Sequence, residues 1–411
     1  MGSTTVILGG GVGGLVCAAE LRRRLPRQHR VVLVEKNAEH AFAPSFLWLM
    51  TGARKPQEIT RPVAKLLPSG IRLVQAEVQG IDLAGKRVRA GEEDIGYDYL
   101  VIALGAELAP ETIPGLAETA HTFYTFEGAA RLRDALPEFK EGTVAIVVAS
   151  MPYKCPGAPH EGAMLIADLL RRRGLGKGVD IHLFTPEPQP MPVAGPELGG
   201  ALKQMLEERG IAFHPSHMLA AVDPGRRELS FKDAEAVKYD LLVAIPPHRG
   251  PALVREAGLT NDAGWIPVDR GTLETGTENV YAIGDVTAVS IPGRWKPDVP
   301  LMLPKAGVFA HGQAKIVAAR IAAEVAGASP VDQFAGDGYC VLEAGAGVAG
   351  FAFGDFYGEP SPQVHMRQPG RAWHLGKVAF EQWWLTPFGP KRTVLELGLA
   401  AGSRALGVPA S

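Results

Sequence analysis

Short apolar runs separated by polar and glycine-rich stretches set the framework of this chain. Thr5–Leu8, Val31–Glu35 and Tyr99–Leu104 predict three buried strands, with a glycine loop and a helix from about Gly13 to Leu25 between the first two. From roughly Pro114 to Tyr239 an insertion repeats the rhythm, with a strand at Val144–Val148, a helix at about Glu161–Arg173 and a strand at Val179–Phe184. Leu241–Ile245 and Val280–Ile283 are expected to return to the first sheet. Gly307–Ala326 reads as an Ala-rich helix with one face small enough for close packing. After Pro330 comes a separate C-terminal segment that ends in a Trp-rich tail. The expected division is residues 1–113 with 240–329, then 114–239, then 330–411. Beyond the two βαβ units there is no internal repeat.

Gly9-Gly10-Gly11-Val12-Gly13-Gly14 fits G-x-G-x-x-G between a predicted strand and helix. Gly9 suits the tight turn, Gly11 lets backbone approach a pyrophosphate, and Gly13 and Gly14 let helix pack on strand. The helix N-terminus then stabilises phosphate. Glu35, 21 residues after Gly14 and followed by Lys36, ends the second strand where an acid can bind a ribose hydroxyl. Loop, flanking elements and acid together predict an α/β dinucleotide-binding site. Two further segments resemble those of flavoproteins with two dinucleotide domains and favour FAD over NAD. Tyr97–Ala106 contains the small turn at Ala103 and Gly105, and Val280–Asp285 contains Gly284 and an Asp placed for the ribityl chain.

The insertion begins with a good Rossmann-like strand, Gly142–Val148, but continues Ala149-Ser150-Met151-Pro152-Tyr153-Lys154-Cys155-Pro156. Bulky Met and Tyr and two prolines without N–H donors cannot cradle a pyrophosphate. The second domain therefore keeps its architecture without nicotinamide binding, and electrons must come from something other than NADH.

Composition narrows the field. A net charge of −2 over 411 residues argues against nucleic acid as a partner. Three cysteines, Cys17, Cys155 and Cys340, rule out a disulfide scaffold. No basic region, long apolar run or twin arginine precedes the first strand, so no export signal is expected. No stretch approaches the ~20 apolar residues of a spanning helix. A soluble protein and one lying on a membrane surface both remain open.

Cys17, among Leu15, Val16, Ala18 and Ala19 of the first helix, reads as a small core residue. Cys155 has Lys154 beside it, His160 close by and Glu161 opening a helix; nearby cations or the helix N-terminus are expected to lower its pKa. Taken alone, Cys155 and Cys340 are compatible with ordinary buried cysteines. No Cys/His spacing supports a metal site.

Pro152-Tyr153-Lys154-Cys155-Pro156-Gly157-Ala158-Pro159-His160-Glu161 resembles the redox-cysteine segment of the sulfide:quinone oxidoreductase and flavocytochrome c sulfide dehydrogenase family. In that family a proton-handling Glu follows the Cys by six residues, as Glu161 follows Cys155. Gly338–Glu343 around Cys340, Asp240–Arg249, Leu303–Gly307 and Ala372–Lys377 are similar to further family blocks, so the likeness covers nearly the whole chain. It implies two Rossmann-like domains of the glutathione-reductase type, non-covalent FAD and a Cys155/Cys340 redox pair bridged directly or through extra sulfur. It also implies proton transfer by Glu161 and charge stabilisation beside the flavin by Lys305. A third cysteine that many members carry is missing from residues 105–150, and no Cys lies between Glu35 and Gly52 where some members attach FAD.

For the electron acceptor, Phe380, Trp383, Trp384, Leu385 and Phe388 with Lys391 and Arg392 suit a membrane interface. Leu395, Leu399 and Leu406 are expected on one helical face. The resemblance therefore implies sulfide and quinone as substrates, peripheral membrane association and a possible homo-oligomer. The alternatives are the flavoprotein subunit of a cytochrome-linked sulfide dehydrogenase and a flavin-bound sulfane-sulfur carrier or sensor. A type II NADH dehydrogenase is disfavoured by the missing glycine loop.

Overall fold

A computed structural model describes residues 2–408. The first residue of segment 1–113 and the last three of 330–411 lie outside this range. Strand β1 (Thr4–Leu8) runs, through helix α1 (Val12–Arg24), into strand β2 (Arg30–Val34). These pair in parallel with strands β3 (Ile71–Val74), β4 (Tyr99–Ile102) and, later in the chain, Val280–Ala282. The order is Val280–Ala282, β4, β1, β2, β3. All five β1 side chains are buried, as expected for a central strand of a parallel sheet covered on both faces.

The second sheet places strand β5 (Gly142–Val148) beside strand β6 (Val179–Phe184), crossed over by helix α2 (Ala158–Arg172). Strand β7 (Ile211–His214) extends one edge. The other edge is strand β8 (Leu241–Ile245), which pairs in parallel with Val144–Val148. This corrects the expectation that Leu241–Ile245 returns to the first sheet. A uniformly apolar run specifies burial on both faces but carries no information about which sheet provides it. The return comes just afterwards. His248–Arg249 pairs antiparallel with Glu107–Leu108, so the two linkers between the domains lie side by side. Arg249 ties them with ion pairs to Glu107 and Glu111.

Strand β9 (Val280–Ala282) completes the first sheet, and helix α3 (Gly307–Val325) packs along α1. Cys17 and Ala18 on α1, with Ala314 and Ala318 on α3, are fully buried in the same core. Their small side chains let two helices lie close. Cys17 is thus a core residue, as expected.

The C-terminal segment forms an antiparallel sheet of strands β10 (Asp337–Glu343), β11 (Ala349–Asp355) and β12 (Gln363–Gly370). Helices α4 (Arg371–Leu385) and α5 (Pro390–Leu406) follow. Among the described residues, no helix is long and apolar enough to cross a membrane.

Candidate functional site

Gly9 leaves β1 with φ +97°, and its N–H donates to Val34 O at 2.8 Å. A Cβ there would lie 2.5 Å from Ala103 O, and one on Gly14 would lie 1.8 Å from Gly9 O. Both positions need glycine for the helix to sit against the strands. A Cβ on Gly11 would meet nothing within 4 Å, so this backbone faces open space. No side chain caps the start of α1 and its first turn holds no acid, which leaves its N–H groups free for an anion.

Glu35 folds back over the loop. Its Oε2 accepts from Gly10 N–H at 2.6 Å and its Oε1 from Asn37 N–H at 2.7 Å. Lys36, expected at the same site, instead turns outward at the bend after β2 to an exposed ion pair with Glu77. Gly105 has φ +68° and is open, while Gly284 has φ +75° and donates to Gln313 Oε1 at 2.7 Å. Asp285 Oδ1 is buried with no hydrogen-bond partner, and burial raises the Asp285 pKa. A ribityl hydroxyl would satisfy that atom, and the open Gly11 backbone would receive the pyrophosphate. These residues fit FAD.

Lys305 is more constrained than expected. Its buried ammonium donates to Asp285 O at 2.7 Å and Thr287 O at 2.9 Å, and it sits 3.5 Å from the centre of the Trp265 ring. Burial pushes its pKa down to about 8. These contacts make it the fastening of the Asp285 turn.

The same loop anchors the sulfur segment. Cys155 N–H donates to Lys305 O at 2.6 Å, and Tyr124 OH donates to Cys155 O at 3.2 Å. Cys155 itself adopts φ +53°, a strained conformation for a residue with a side chain. Cys340 lies on β10, opposite Ala352. Gly157 marks where the segments meet: a Cβ there would lie 3.2 Å from Cys340 Sγ and 3.7 Å from Glu161 Oε2. Both cysteines are free thiols, and each responds to the charge of Glu161 and Lys377. The directly bridged pair suggested by the resemblance is therefore not what the structure holds.

Their electrostatics also differ from expectation. Burial, then Glu161, pushes the Cys155 thiol up to about 12; Lys377 and the Ala158 N–H pull the other way without prevailing. Burial, Glu161 and Cys155 push Cys340 up as well. The cations expected to favour thiolate do not act as such. His160 is buried against Phe213, and burial takes its pKa down to about 4, so it is neutral; neither ring nitrogen has a partner. The charge of Lys154 acts instead on Asp285 and His248.

Glu161 lies in the first turn of α2 and is buried. Its Oε1 accepts from Lys377 Nζ at 2.8 Å and from Glu343 N–H at 3.0 Å. Lys377 comes from α4, 216 residues away, and sequence reasoning assigned it no role. A signal existed in the tail. His374, Lys377, Glu381 and Trp384 recur at intervals of three or four, which places them along one helical face. Each meets a partner: His374 meets Glu343, Glu381 meets Ser45 and Arg54, and Trp384 Nε1 donates to His40 Nε2 at 2.9 Å. His40 Nδ1 in turn lies 3.2 Å from Gly10 O, which ties the tail to the glycine loop.

This face turns part of the expected membrane surface inward. Trp383, Trp384 and Leu385 are buried, and Leu395 and Leu399 pack on the core. The exposed large apolar side chains of the C-terminal helices and the turn between them are Leu375, Phe388, Val394, Leu397 and Leu406. Helical spacing alone could not tell which of two apolar rows on α5 faces the body.

The altered loop after β5 packs inward rather than standing open. Tyr153, from the altered loop, is buried and donates to Glu187 Oε2 at 2.8 Å, just beyond the end of β6. Burial pushes the Glu187 pKa up to about 7 from an ordinary 4.5. The folded protein therefore retains a proton that the unfolded chain loses, and stability falls as pH rises between about 4.5 and 7. Glu187→Gln should remove this dependence. Thermal unfolding at about pH 8 should show it more stable relative to wild type than at about pH 5, by roughly 3 kcal/mol. A difference independent of pH would refute this.

A family model for pyridine nucleotide-disulphide oxidoreductases matches residues 3–306. The chain is 28% identical over 295 residues to the mitochondrial sulfide:quinone oxidoreductase of Mus musculus, covering 69% of this chain and 65% of the mouse protein. It is 29% identical over 402 residues to the sulfide-quinone reductase of Aquifex aeolicus, covering 94% of this chain and 91% of that one. The X-ray structure of the sulfide:quinone oxidoreductase from Aquifex aeolicus superposes with a TM-score of 0.82 at 26% identity, covering 93% of this chain and 90% of that one.

Proposed function

Because the chain belongs to the pyridine nucleotide-disulphide oxidoreductase family, we propose that it is an FAD-dependent sulfide:quinone oxidoreductase working through Cys155 and Cys340. The observation that carries this reading is the meeting of Cys155, Cys340 and Glu161 around Gly157, on the segment that replaces a nucleotide loop. The resemblance of the chain over 94% of its length to an Aquifex aeolicus sulfide-quinone reductase supports it.

FAD, when bound, supplies a two-electron acceptor that links sulfur oxidation to quinone reduction. Gly9, Gly11, Gly13, Gly14, Glu35, Ala103, Gly105, Gly284 and Asp285 hold it, and Lys305 fixes the Asp285 turn. In the working state Cys155 and Cys340 are bridged by sulfur. Hydrosulfide attacks one bridging sulfur, so a new S–S bond forms as the old one breaks. The sulfide sulfur is oxidised and the displaced cysteine leaves as a thiolate carrying the electron pair. Glu161 takes the proton that the new persulfide sheds. With the second glycine fingerprint replaced by the segment that carries Cys155, sulfide is the electron donor.

The exposed apolar side chains of α4, α5 and the turn between them form a peripheral membrane face from which quinone is reached. Leu375, Phe388, Val394, Leu397 and Leu406 enter the interface, flanked by Lys391 and Arg404.

The test is anaerobic reduction of the flavin by sulfide and, separately, by NADH, followed by reoxidation with a soluble quinone analogue or with cytochrome c. Bleaching by sulfide and recovery with quinone are expected. Bleaching by NADH alone overturns the proposal, and recovery only with cytochrome c overturns its acceptor.

A further inference from the structure

Glu161 is buried, so a proton it accepts needs a way out. Beyond it lies a line of polar groups that ends at the surface. Lys377 Nζ is 2.8 Å from Glu161 Oε1 and bears the charge influence of both Glu161 and Glu343. Glu343 is buried, and both its carboxylate oxygens lie 3.0–3.1 Å from His374 Nδ1. The His374 side chain is 27% exposed. Trp48 walls this line from the side, with its ring 5.8 Å from the His374 ring, 5.3 Å from Lys377 Nζ and 4.6 Å from the Arg54 guanidinium.

We propose that Lys377, Glu343 and His374 form a proton exit from the sulfur pair, with His374 as its solvent end; this rests on the sulfide-oxidising reading above. The persulfide S–H bond breaks and an O–H bond forms on Glu161. The Lys377 ammonium, whose charge reaches Glu343 from beyond hydrogen-bond distance, passes one proton to it through an intervening water and recovers one from Glu161. Glu343 delivers its proton to His374 Nδ1, and His374 releases the Nε2 proton to water. One proton leaves, the His374 ring regains its Nε2–H tautomer by exchange with solvent water, every other group returns to its starting state, and no redox partner is needed.

The groups around each station account for the charge. Glu161 faces Lys377 from α4, the Glu343 N–H from β10, and the thiols of Cys155 and Cys340. His374 faces Glu343 from β10 and the edge of Trp48, with Lys377 one turn along its own helix. Two buried carboxylates lie in the field of one ammonium, so the proton in transit on His374 brings the line to neutrality.

The experiment mixes the flavin-loaded enzyme with sulfide anaerobically in weakly buffered solution, following flavin bleaching and, with an indicator dye, proton release. His374→Gln keeps an N–H donor for Glu343 but cannot carry a proton. It should slow both signals by roughly tenfold or more, and added imidazole should restore them, whereas a non-titrating salt at equal ionic strength should not. Glu343→Gln should slow both signals without imidazole rescue, since the break then lies inside the protein. Full-rate proton release in His374→Gln, or slowing that imidazole does not relieve, overturns the exit path while leaving sulfide oxidation intact. A wild-type enzyme that sulfide does not bleach overturns both readings.

Discussion

Cys155→Ser and Cys340→Ser are each expected to lower the rate of flavin reduction by sulfide by roughly a thousandfold or more, with the flavin still bound. A serine hydroxyl cannot form the S–S bonds that carry the electron pair, so neither variant has a slower version of the same route. The glycine loop, Glu35 and Asp285 are untouched by either change, and reduction by dithionite should proceed at the wild-type rate. Cys17→Ala supplies the contrast: that thiol is fully buried between α1 and α3, and burial pushes its pKa up. Its removal should leave sulfide turnover unchanged. If both serine variants kept full activity with sulfide, the sulfur mechanism would be wrong even with the fold right.

The thiols offer a second reading of the same experiment. As a free thiol Cys155 is held at about 12, so its alkylation at neutral pH should be slow and should quicken steadily as pH is raised. A bridged pair suits this environment: it stores sulfur as a neutral group, where an isolated thiolate would be poorly solvated.

Much of the first domain was legible because its signals are local. Gly9 and Gly14 are required by backbone approaches of less than 3 Å, and the spacing to Glu35 follows from one strand–helix–strand unit. The proposed pairing of Cys155 with Cys340 could be reached only through resemblance, because no periodicity relates the loop before α2 to β10. The misplacement of Leu241–Ile245 has the same origin: an apolar run states that it is buried and nothing more. His160 misled for a different reason. Proximity in sequence suggested a cation, but the helix turns its ring into an apolar pocket beside Phe213, where the charged form is costly. Lys377 was missed because its partner Glu161 is brought to it only by tertiary folding, although the polar stripe on α4 was there to be read.

Lys377→Met should be the most destabilising single change at the site, at about 3–5 kcal/mol in chemical denaturation. It leaves the Glu161 carboxylate buried with only the Glu343 N–H as a strong donor. In the double variant with Glu161→Gln no uncompensated charge remains, and most of that loss should be recovered. Simple additivity of the two losses would mean that the pair is not coupled. In the wild type the pair raises the Lys377 pKa above its ordinary 10.5. Its contribution is therefore complete at neutral pH and is lost only as pH rises through that raised value. The two single variants separate charge from proton transfer. Lys377 draws both thiols down and Glu161 drives both up, so Lys377→Met should slow alkylation of the opened pair and Glu161→Gln should speed it. Turnover with sulfide should fall in both, because Glu161→Gln frees the thiolate but removes the acceptor for the persulfide proton. A Glu161→Gln enzyme that is faster in alkylation and also faster in turnover would remove Glu161 from the reaction.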